Sequence, residues 1–338
     1  MREPPKLPEA TLIGAVETEY GIPISALTFL PLGADSASAA YRAHAIDGAS
    51  YFLKVRALHG FRPPSLLVPL YLHEQGVPHL LTPLPTIVQA QWVLLNDYAL
   101  SLFPFVEGRM GANAGLSKRH WTELGATVKQ IHASQLPSDL IPIVPRENFT
   151  PSRREVIAHL QTAIECHASS DPVQDELAEF WNSQREVVHA LVERADALAC
   201  QLREVSSLLV LCHADLHTWN IILDSSEHLW LVDWDETILA LKERDLMFFM
   251  GGIGRGLVSP KETACFLRGY GEADIDPKAL TYYRYAWAVQ DMGAYGEQIF
   301  FLSGLGEGSR RDALDGFRSL FEPGNIVDIA FGSDSIAQ

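Results

Sequence analysis

The sequence predicts an α+β chain of two lobes: a small, mainly β N-terminal lobe (1–103) and a larger, mainly helical C-terminal lobe (112–338), joined by a crossing at 104–111. Three patterns support this. Side chains alternate along Tyr51-Phe52-Leu53-Lys54-Val55-Arg56, the period of a strand. From Trp121 onward apolar residues recur at three and four positions, the period of a helix. Within that helical half, Asn220-Ile221-Ile222-Leu223 and His228-Leu229-Trp230-Leu231-Val232-Asp233 flank a polar Asp-Ser-Ser-Glu turn, the pattern of a small β-hairpin.

Along the chain, turns at Gly33 and at Asp47-Gly48 separate two or three strands that end at Arg56. On the last of them Phe52 and Lys54 share one face, while Leu53 and Val55 take the other. Pro63-Pro64 precedes a short helix over 65–75, with Gly76 as its stop. Strand-like runs return at 86–94 and 98–103. The stretch FPFVEGRMG mixes Pro and Gly with a strand remnant and reads as the crossing between lobes. Ser117 is placed to cap a helix carrying Trp121, Leu124, Val128 and Ile131. A long helical tract follows over 175–204, with Leu177, Phe180, Val187, Leu191 and Leu198.

The chain has 338 residues, 47% of them hydrophobic, enough for a real core and without a low-complexity tract. MREPPKLPEATL carries prolines and acids where a signal peptide needs an apolar run, and runs such as SLLVLC fall far short of a bilayer span. A cytoplasmic protein is expected. Cys166, Cys200, Cys212 and Cys265 are widely spaced, which suits buried free thiols better than a disulfide framework or a cysteine zinc site. Net charge is −16; residues 1–103 hold six basic and eight acidic side chains, a net of −2, leaving −14 for the rest. Such a field disfavours nucleic acid and anionic membranes as partners and steers a cationic small molecule toward the second lobe. Acidity that serves only solubility would look the same.

The hairpin holds the chemistry. Asn220 begins one strand and Asp233 ends the other, so their side chains meet at the open end. A carboxylate and a carboxamide oxygen form a hard-oxygen pair suited to Mg²⁺ that keeps other positions for phosphate and water. Asp215, on the loop just before, is free to face an incoming hydroxyl. Phosphoryl transfer needs these parts: a carboxylate to orient the attacking oxygen, and metal to cancel charge on the transferred group. No GxxxxGK[ST] occurs, so a P-loop is excluded.

The order H-x-D-x-x-x-x-N, hydrophobic strand, Asp is similar to the kinase catalytic loop and its metal-binding Asp. Here it reads His213-Ala214-Asp215 without the Arg of protein kinases, and Asp233-Trp234-Asp235 instead of Asp-Phe-Gly. Both departures resemble the aminoglycoside phosphotransferase and choline kinase group, which shares the protein-kinase fold. Within it the resemblance is strongest to the spectinomycin phosphotransferases, through VDWDE (232–236), KERDLMFFMGG (242–252), YGE (270–272), YYR (282–284) and FEPGNIVDIAF (321–331), and it covers nearly the whole chain.

That resemblance implies a two-lobed protein-kinase-like fold, ATP bound with Mg²⁺ between the lobes, and phosphate delivered to an antibiotic hydroxyl. It implies Asp215 as catalytic base or orienting carboxylate, Asn220 and Asp233 as Mg²⁺ ligands, and Lys54 on the ATP phosphates. Gly33 and Ser36 fall on the phosphate-covering loop, and Phe105 and Val106 on the hinge that holds adenine. Asp235 and Glu236, and Asp291 on a helix, are candidates for a cationic substrate such as an aminocyclitol. One departure concerns the acid that kinases place on the helix after the lysine strand: only Glu74 is available, near the helix end.

Other readings compete. His213 suits a structural ring bonded to backbone, and Arg244 and Asp245 suit structural ion pairing with neighbouring loops rather than contact with substrate. Cys212, His213 and His217 could hold a transition metal, though at no familiar spacing. Asp233-Trp234-Asp235 could be the D-x-D of a glycosyltransferase, which leaves Asp215 and Asn220 without a task. A metabolic kinase for choline, a sugar or an amino alcohol, or a nucleotide-binding pseudokinase lacking the helix acid, are the alternatives in function.

Overall fold

The computed structural model describes residues 4, 5, 7–32, 37–166, 171–204 and 208–335. The chain begins α1 (Glu9–Tyr20), β1 (Ile24–Leu30), β2 (Ser38–Ala45), β3 (Ser50–Ala57), α2 (Pro64–Glu74), β4 (Val93–Leu95), β5 (Tyr98–Pro104) and β6 (Gly108–Met110). Next come α3 (Gly111–Ala114), α4 (Lys118–Ala133), α5 (Arg154–Glu165), α6 (Pro172–Arg203), β7 (Val210–Cys212), β8 (Ile221–Asp224), β9 (Leu229–Leu231) and β10 (Ile238–Ala240). The last helices are α7 (Glu243–Leu246), α8 (Pro260–Tyr270), α9 (Pro277–Phe300), α10 (Glu307–Ser319) and α11 (Ile326–Gly332). A mainly β first part and a mainly helical remainder are the α+β class the sequence predicts. Two compact units divide the chain: Met1–His120 with Ala133–Pro145 and His213–Thr237, and Trp121–His132 with Arg146–Cys212 and Ile238–Gln338.

In the first unit five antiparallel strands follow the order β1-β2-β3-β5-β4. Alternation sorts their side chains. Tyr41, Ala43, Leu53, Val55, Leu100 and Leu102 are buried with Leu12, Val16 and Tyr20 of α1. The opposite face carries Lys54 in register with Ala40 and Ser101, and Phe52 in register with Arg42 and Phe103. The β2–β3 turn forms where Asp47-Gly48 predicts it: Asp47 Oδ1 accepts from Ala49 N–H and Gly48 takes φ 91°. Helix α2 spans nearly the expected residues and stops before Gly76, at φ 84°.

The run expected as strand over 86–94 does not form; only Val93–Leu95 pairs with β5. Thr86 turns the chain instead, its hydroxyl accepting from Ala90 N–H (3.0 Å) and its N–H donating to Ala90 O (2.8 Å), with Ile87 and Val88 exposed. A local side-chain bond to backbone thus overrides the β-propensity of three β-branched residues in a row. The crossing segment supplies β6, the edge strand of a second sheet ordered β6-β8-β9. A Cβ on Gly108 would lie 2.6 Å from Leu223 O, which is why glycine occupies that position. The hairpin thus belongs to the same compact unit as the N-terminal sheet, not to a helical surround.

In the second unit α6 and α9 carry large buried residues, Trp181 and Leu191 on one, Tyr282, Tyr283 and Tyr285 on the other. Asp171 and Asp276 cap these helices, each accepting from two backbone N–H groups. Arg244 and Asp245 are buried and engaged with neighbouring elements: Arg244 lies over the Tyr283 and Trp287 rings, and Asp245 Oδ2 meets His132 Nε2 at 3.1 Å. All four cysteines are free, with Cys212 and Cys265 buried and Cys166 and Cys200 exposed, where burial was expected for all. Among the described residues no helix is long and apolar enough to cross a membrane.

Helices α4 and α8 touch through facing glycines. A Cβ on Gly125 would stand 2.1 Å from Phe266 O, and one on Gly269 would stand 1.8 Å from Thr122 O. Gly269→Ala should therefore lower unfolding stability by about 2 kcal/mol or more. Gly14→Ala on α1, where a Cβ meets nothing within 4 Å, should raise it by about 0.5–1 kcal/mol. Urea unfolding of the two variants checks both signs.

Candidate active site

Strands β8 and β9 pair Ile221 with Leu231 and Leu223 with Leu229. One further bond, Val232 N–H to Asn220 O at 3.1 Å, extends the ladder to its open end and sets Asp233 one residue beyond it. At the closed end Asp224 fixes the turn, accepting from Ser226 N–H, His228 N–H and the Trp230 indole. Register thus brings Asn220 and Asp233 to one mouth, as the sequence predicts.

The loop before β8 is tied to this mouth by side chains. Asn220 Nδ2 donates to Asp215 O (2.8 Å) and to Asp215 Oδ2 (2.9 Å). Its amide nitrogen is thereby committed, and Oδ1 is left as an acceptor. His213 is fully buried; its Nδ1 accepts from Asp215 N–H (3.3 Å), so the proton sits on Nε2, which donates to Val232 O (3.1 Å). The ring is structural, and with both nitrogens engaged it offers no ligand to a transition metal. His217 Nε2 lies 3.3 Å from Asp215 Oδ1. Burial, helped by His213, pushes the His217 ring down to about 4, so it is neutral at pH 7 and its contact with Asp215 is not an ion pair. Ala214 and Asp233 both take positive φ, 68° and 64°, a conformation that costs a non-glycine residue about 1 kcal/mol or more.

Lys54 reaches the same mouth from β3. Its Nζ donates to Asp233 Oδ1 at 2.9 Å and to Asp235 Oδ2 at 2.6 Å, and the Arg56 guanidinium contacts the same oxygen of Asp235. Side-chain exposure is 15% for Lys54 and Asp235 and 12% for Arg56, but 44% for Asp233. Burial opposes charge on Lys54, yet Asp233 and Asp235 outweigh it and hold the ammonium above its usual range. Burial likewise opposes ionised Asp233, but Lys54 holds that carboxyl well below the usual range. At Asp235 burial prevails, with Asp233 adding to it, so this acid is the readier of the two to take a proton.

A carboxylate clamped by an asparagine, a second acid at the mouth of the same hairpin, and a buried strand lysine on that acid form the constellation of a kinase-type phosphotransferase. The profile of the phosphotransferase enzyme family (APH) matches residues 28–280, well over half of the chain. The chain belongs to the phosphotransferase enzyme family. Spectinomycin phosphotransferase APH(9)-Ia, in complex with ADP and spectinomycin, is similar at a TM-score of 0.86 and 30% identity, covering 97% of this chain and 99% of that one. Protein StrN of Streptomyces griseus is 28% identical over 248 residues, 72% of this chain and 74% of that protein. The amicoumacin kinase hAmiN, in complex with AMP-PNP, Ca²⁺ and Ami, shares the fold at a TM-score of 0.61 and 16% identity over 95% of each chain.

Other predicted residues of the phosphotransferase are spread more widely. Gly33 and Ser36 lie outside the described residues. Phe105 and Val106 border a cavity of about 490 Å³ with Leu80, Leu81 and Trp230, and none of its lining comes from β2 or β3. Phe105 N–H donates to Ser50 O (3.3 Å), and its ring lies under the Arg42 guanidinium, which also pairs with Glu107 at 2.5 Å. Glu236 is half-buried beside the Trp234–Thr237 turn. Asp291 lies on α9 in the second unit; burial pushes its carboxyl up to about 7, against the pull of Arg244. Sequence reasoning missed Arg56, although the alternation that places Lys54 puts Arg56 on the same face.

Among the described residues, the one group of His, Cys and acid close enough to share an ion is His132, Cys212 and Asp245. Those atoms serve a core network instead: His132 Nδ1 bonds the Tyr270 hydroxyl at 2.8 Å, and the Cys212 thiol donates to Leu241 O at 3.5 Å.

The folded His217 titrates near 4 against 6.5 for an ordinary histidine, so the fold favours its neutral form. Its contribution is complete above about pH 6.5 and is lost as pH falls toward 4, amounting to about 3 kcal/mol. Urea midpoints should show a smaller loss between pH 7 and pH 4.5 in His217→Gln than in the wild type.

Proposed function

We propose that this phosphotransferase moves the γ-phosphoryl group of ATP, taken up with Mg²⁺, onto a hydroxyl of a small cationic aminocyclitol of the spectinomycin kind, and so inactivates it. The observation that carries this reading is the Asp215 carboxylate. It is fixed on one oxygen by Asn220, with His217 Nε2 3.3 Å from the other, and the acid that meets Lys54 stands at the same hairpin mouth. Whole-length similarity to a spectinomycin phosphotransferase supports the substrate class.

Asp215 orients the acceptor hydroxyl and takes its proton as that oxygen attacks phosphorus. Lys54 turns its ammonium to the phosphate oxygens. Asn220 Oδ1, freed by the commitment of Nδ2, and the half-open Asp233 carboxylate are hard donors at one mouth and fit Mg²⁺. Bound there, Mg²⁺ would neutralise charge on the transferring group. Residues 1–103 and 104–111 serve the nucleotide in this reading, with the Lys54 face of the sheet toward the phosphates. Because Phe105 N–H already donates to Ser50 O, Val106 is the better candidate for backbone contact with the base. Residues 112–338 serve the acceptor.

Asp291 is the candidate partner for an acceptor amine, with Glu236 beside the mouth. Asp235 is less suited to that part, since Lys54 and Arg56 already meet its charge. The pseudokinase alternative was motivated by a lysine without its acid, and the two carboxylates on Lys54 take that motive away. The use of ATP favours the cytoplasm as the enzyme's place of action.

Incubation of spectinomycin with enzyme, Mg²⁺ and ATP should yield a product heavier by one phosphoryl group in mass spectrometry; product from choline or a sugar alone would favour a metabolic kinase. Asp215→Ala should lower kcat by about 10²–10⁴-fold with nucleotide affinity nearly unchanged, while Asp233→Ala and Asn220→Ala weaken Mg²⁺-dependent nucleotide binding. Asp291→Asn should raise KM for the cationic acceptor on the order of tenfold and leave KM for ATP alone. In the wild type, acceptor KM should fall as pH rises through about 7, where Asp291 ionises.

A further inference from the structure

We propose that Asp235, itself held by Arg56, is the carboxylate that positions Lys54, an inference that rests on the phosphotransfer reading and deepens it. Helix α2 follows the lysine strand but offers only Glu74, exposed at its last residue. Lys54 instead takes a carboxylate from 181 positions along the chain, Asp235 Oδ2 at 2.6 Å. Alternation on β3 places Arg56 on the same face, and its guanidinium contacts the same oxygen while Nε donates to Gly60 O at 2.6 Å.

The two acids on Lys54 differ in a way that assigns them different parts. Asp233 is 44% exposed and stands at the mouth of the hairpin, so a ligand can draw it away. Asp235 is 15% exposed and shared between two cations, so it stays. A buried carboxylate with Lys54 as its sole partner would hold the ammonium tightly to itself. Arg56 divides that attraction. Lys54 then keeps its direction from Asp235 yet remains able to turn its other hydrogens to a phosphate. Arg56 and Asp235 are positioning residues; neither needs to touch the reacting atoms.

The test measures ADP affinity by calorimetry in EDTA, where no metal contributes, together with kcat in Mg²⁺. Asp235→Asn removes an anion and frees both cations, so ADP should bind tighter, on the order of three- to tenfold. Its kcat should fall at least tenfold, because Asp233 alone now directs the ammonium. Arg56→Ala should move ADP affinity the other way, weakening it on the order of tenfold. The double variant should depart from the product of the single effects, since the two residues share one oxygen.

Weaker ADP binding in Asp235→Asn, shifts of the same sign in both variants, or effects that simply multiply would overturn the assignment. If Arg56→Ala does not fold, Arg56→Lys replaces it: ADP affinity near that of the wild type with reduced kcat supports the role, and unchanged kcat overturns it. A wild type that fails to bind ADP removes the nucleotide site itself, and this inference with it. That failure is separable from equal behaviour of the variants in an enzyme that does bind.

Discussion

Lys54 and Arg56 on β3 face Asp233 and Asp235 beyond β9, and three of these four side chains are 15% exposed or less. Charges so removed from water must be matched, because leaving one without its partner costs about 3–5 kcal/mol. An exposed pair such as Arg311 with Glu307, at 45% and 62% exposure, contributes about 0–1 kcal/mol. The inner cluster therefore constrains the fold far more than the surface pairs do. It obliges one face of the N-terminal sheet and the open end of the hairpin to meet. The β8–β9 register and the Asn220 bonds to Asp215 then set the rest of the candidate site at that same open end.

Much of this was legible in the sequence because it depends on short periods. Alternation over six residues placed Lys54, and the spacing of Asn220 and Asp233 about a tight turn gave the hairpin and its mouth. Ser117 caps its helix, accepting from His120 N–H at 3.2 Å as the pattern predicts. What stayed hidden involves partners far apart in the chain. Nothing local to Asp235 says that its carboxylate belongs to a strand 181 residues earlier, so its position alone suggests only a partner for a cationic substrate. Thr86-Ile87-Val88 carried a genuine strand signal, overruled by a hydroxyl bond that only the turn geometry reveals. The close approach of α4 and α8 was equally silent, because Gly125 and Gly269 look like ordinary helix interiors until their neighbours are known.

Family membership and site geometry reach the same chemistry by separate routes. Similarity over nearly the full length to a spectinomycin phosphotransferase speaks to the whole scaffold. The hydrogen bonds on Asp215, by contrast, speak to one oxygen pair. Most of the net −16 lies beyond residue 103, a field that would draw a cationic acceptor but equally serves solubility. The segment after β5 is shaped by its own chain: Arg42 of β2 lies over the Phe105 ring and pairs with Glu107, so it is braced before any ligand contributes.

Ala214 and Asp233 stand at positive φ, one before the Asp215–Asn220 loop and the other beyond the hairpin that follows it. Glycine would adopt that shape freely, but it would leave it as freely. A methyl group at one position and a carboxylate at the other narrow the rotations open to the peptide planes that carry Asp215 and its neighbours. The surrounding core, with Ala214 and the His213 ring buried, absorbs the local penalty. The loop is thus preorganised at the expense of folding stability, and under the proposed role of Asp215 little reorganisation entropy would remain to be lost on docking of an acceptor alcohol.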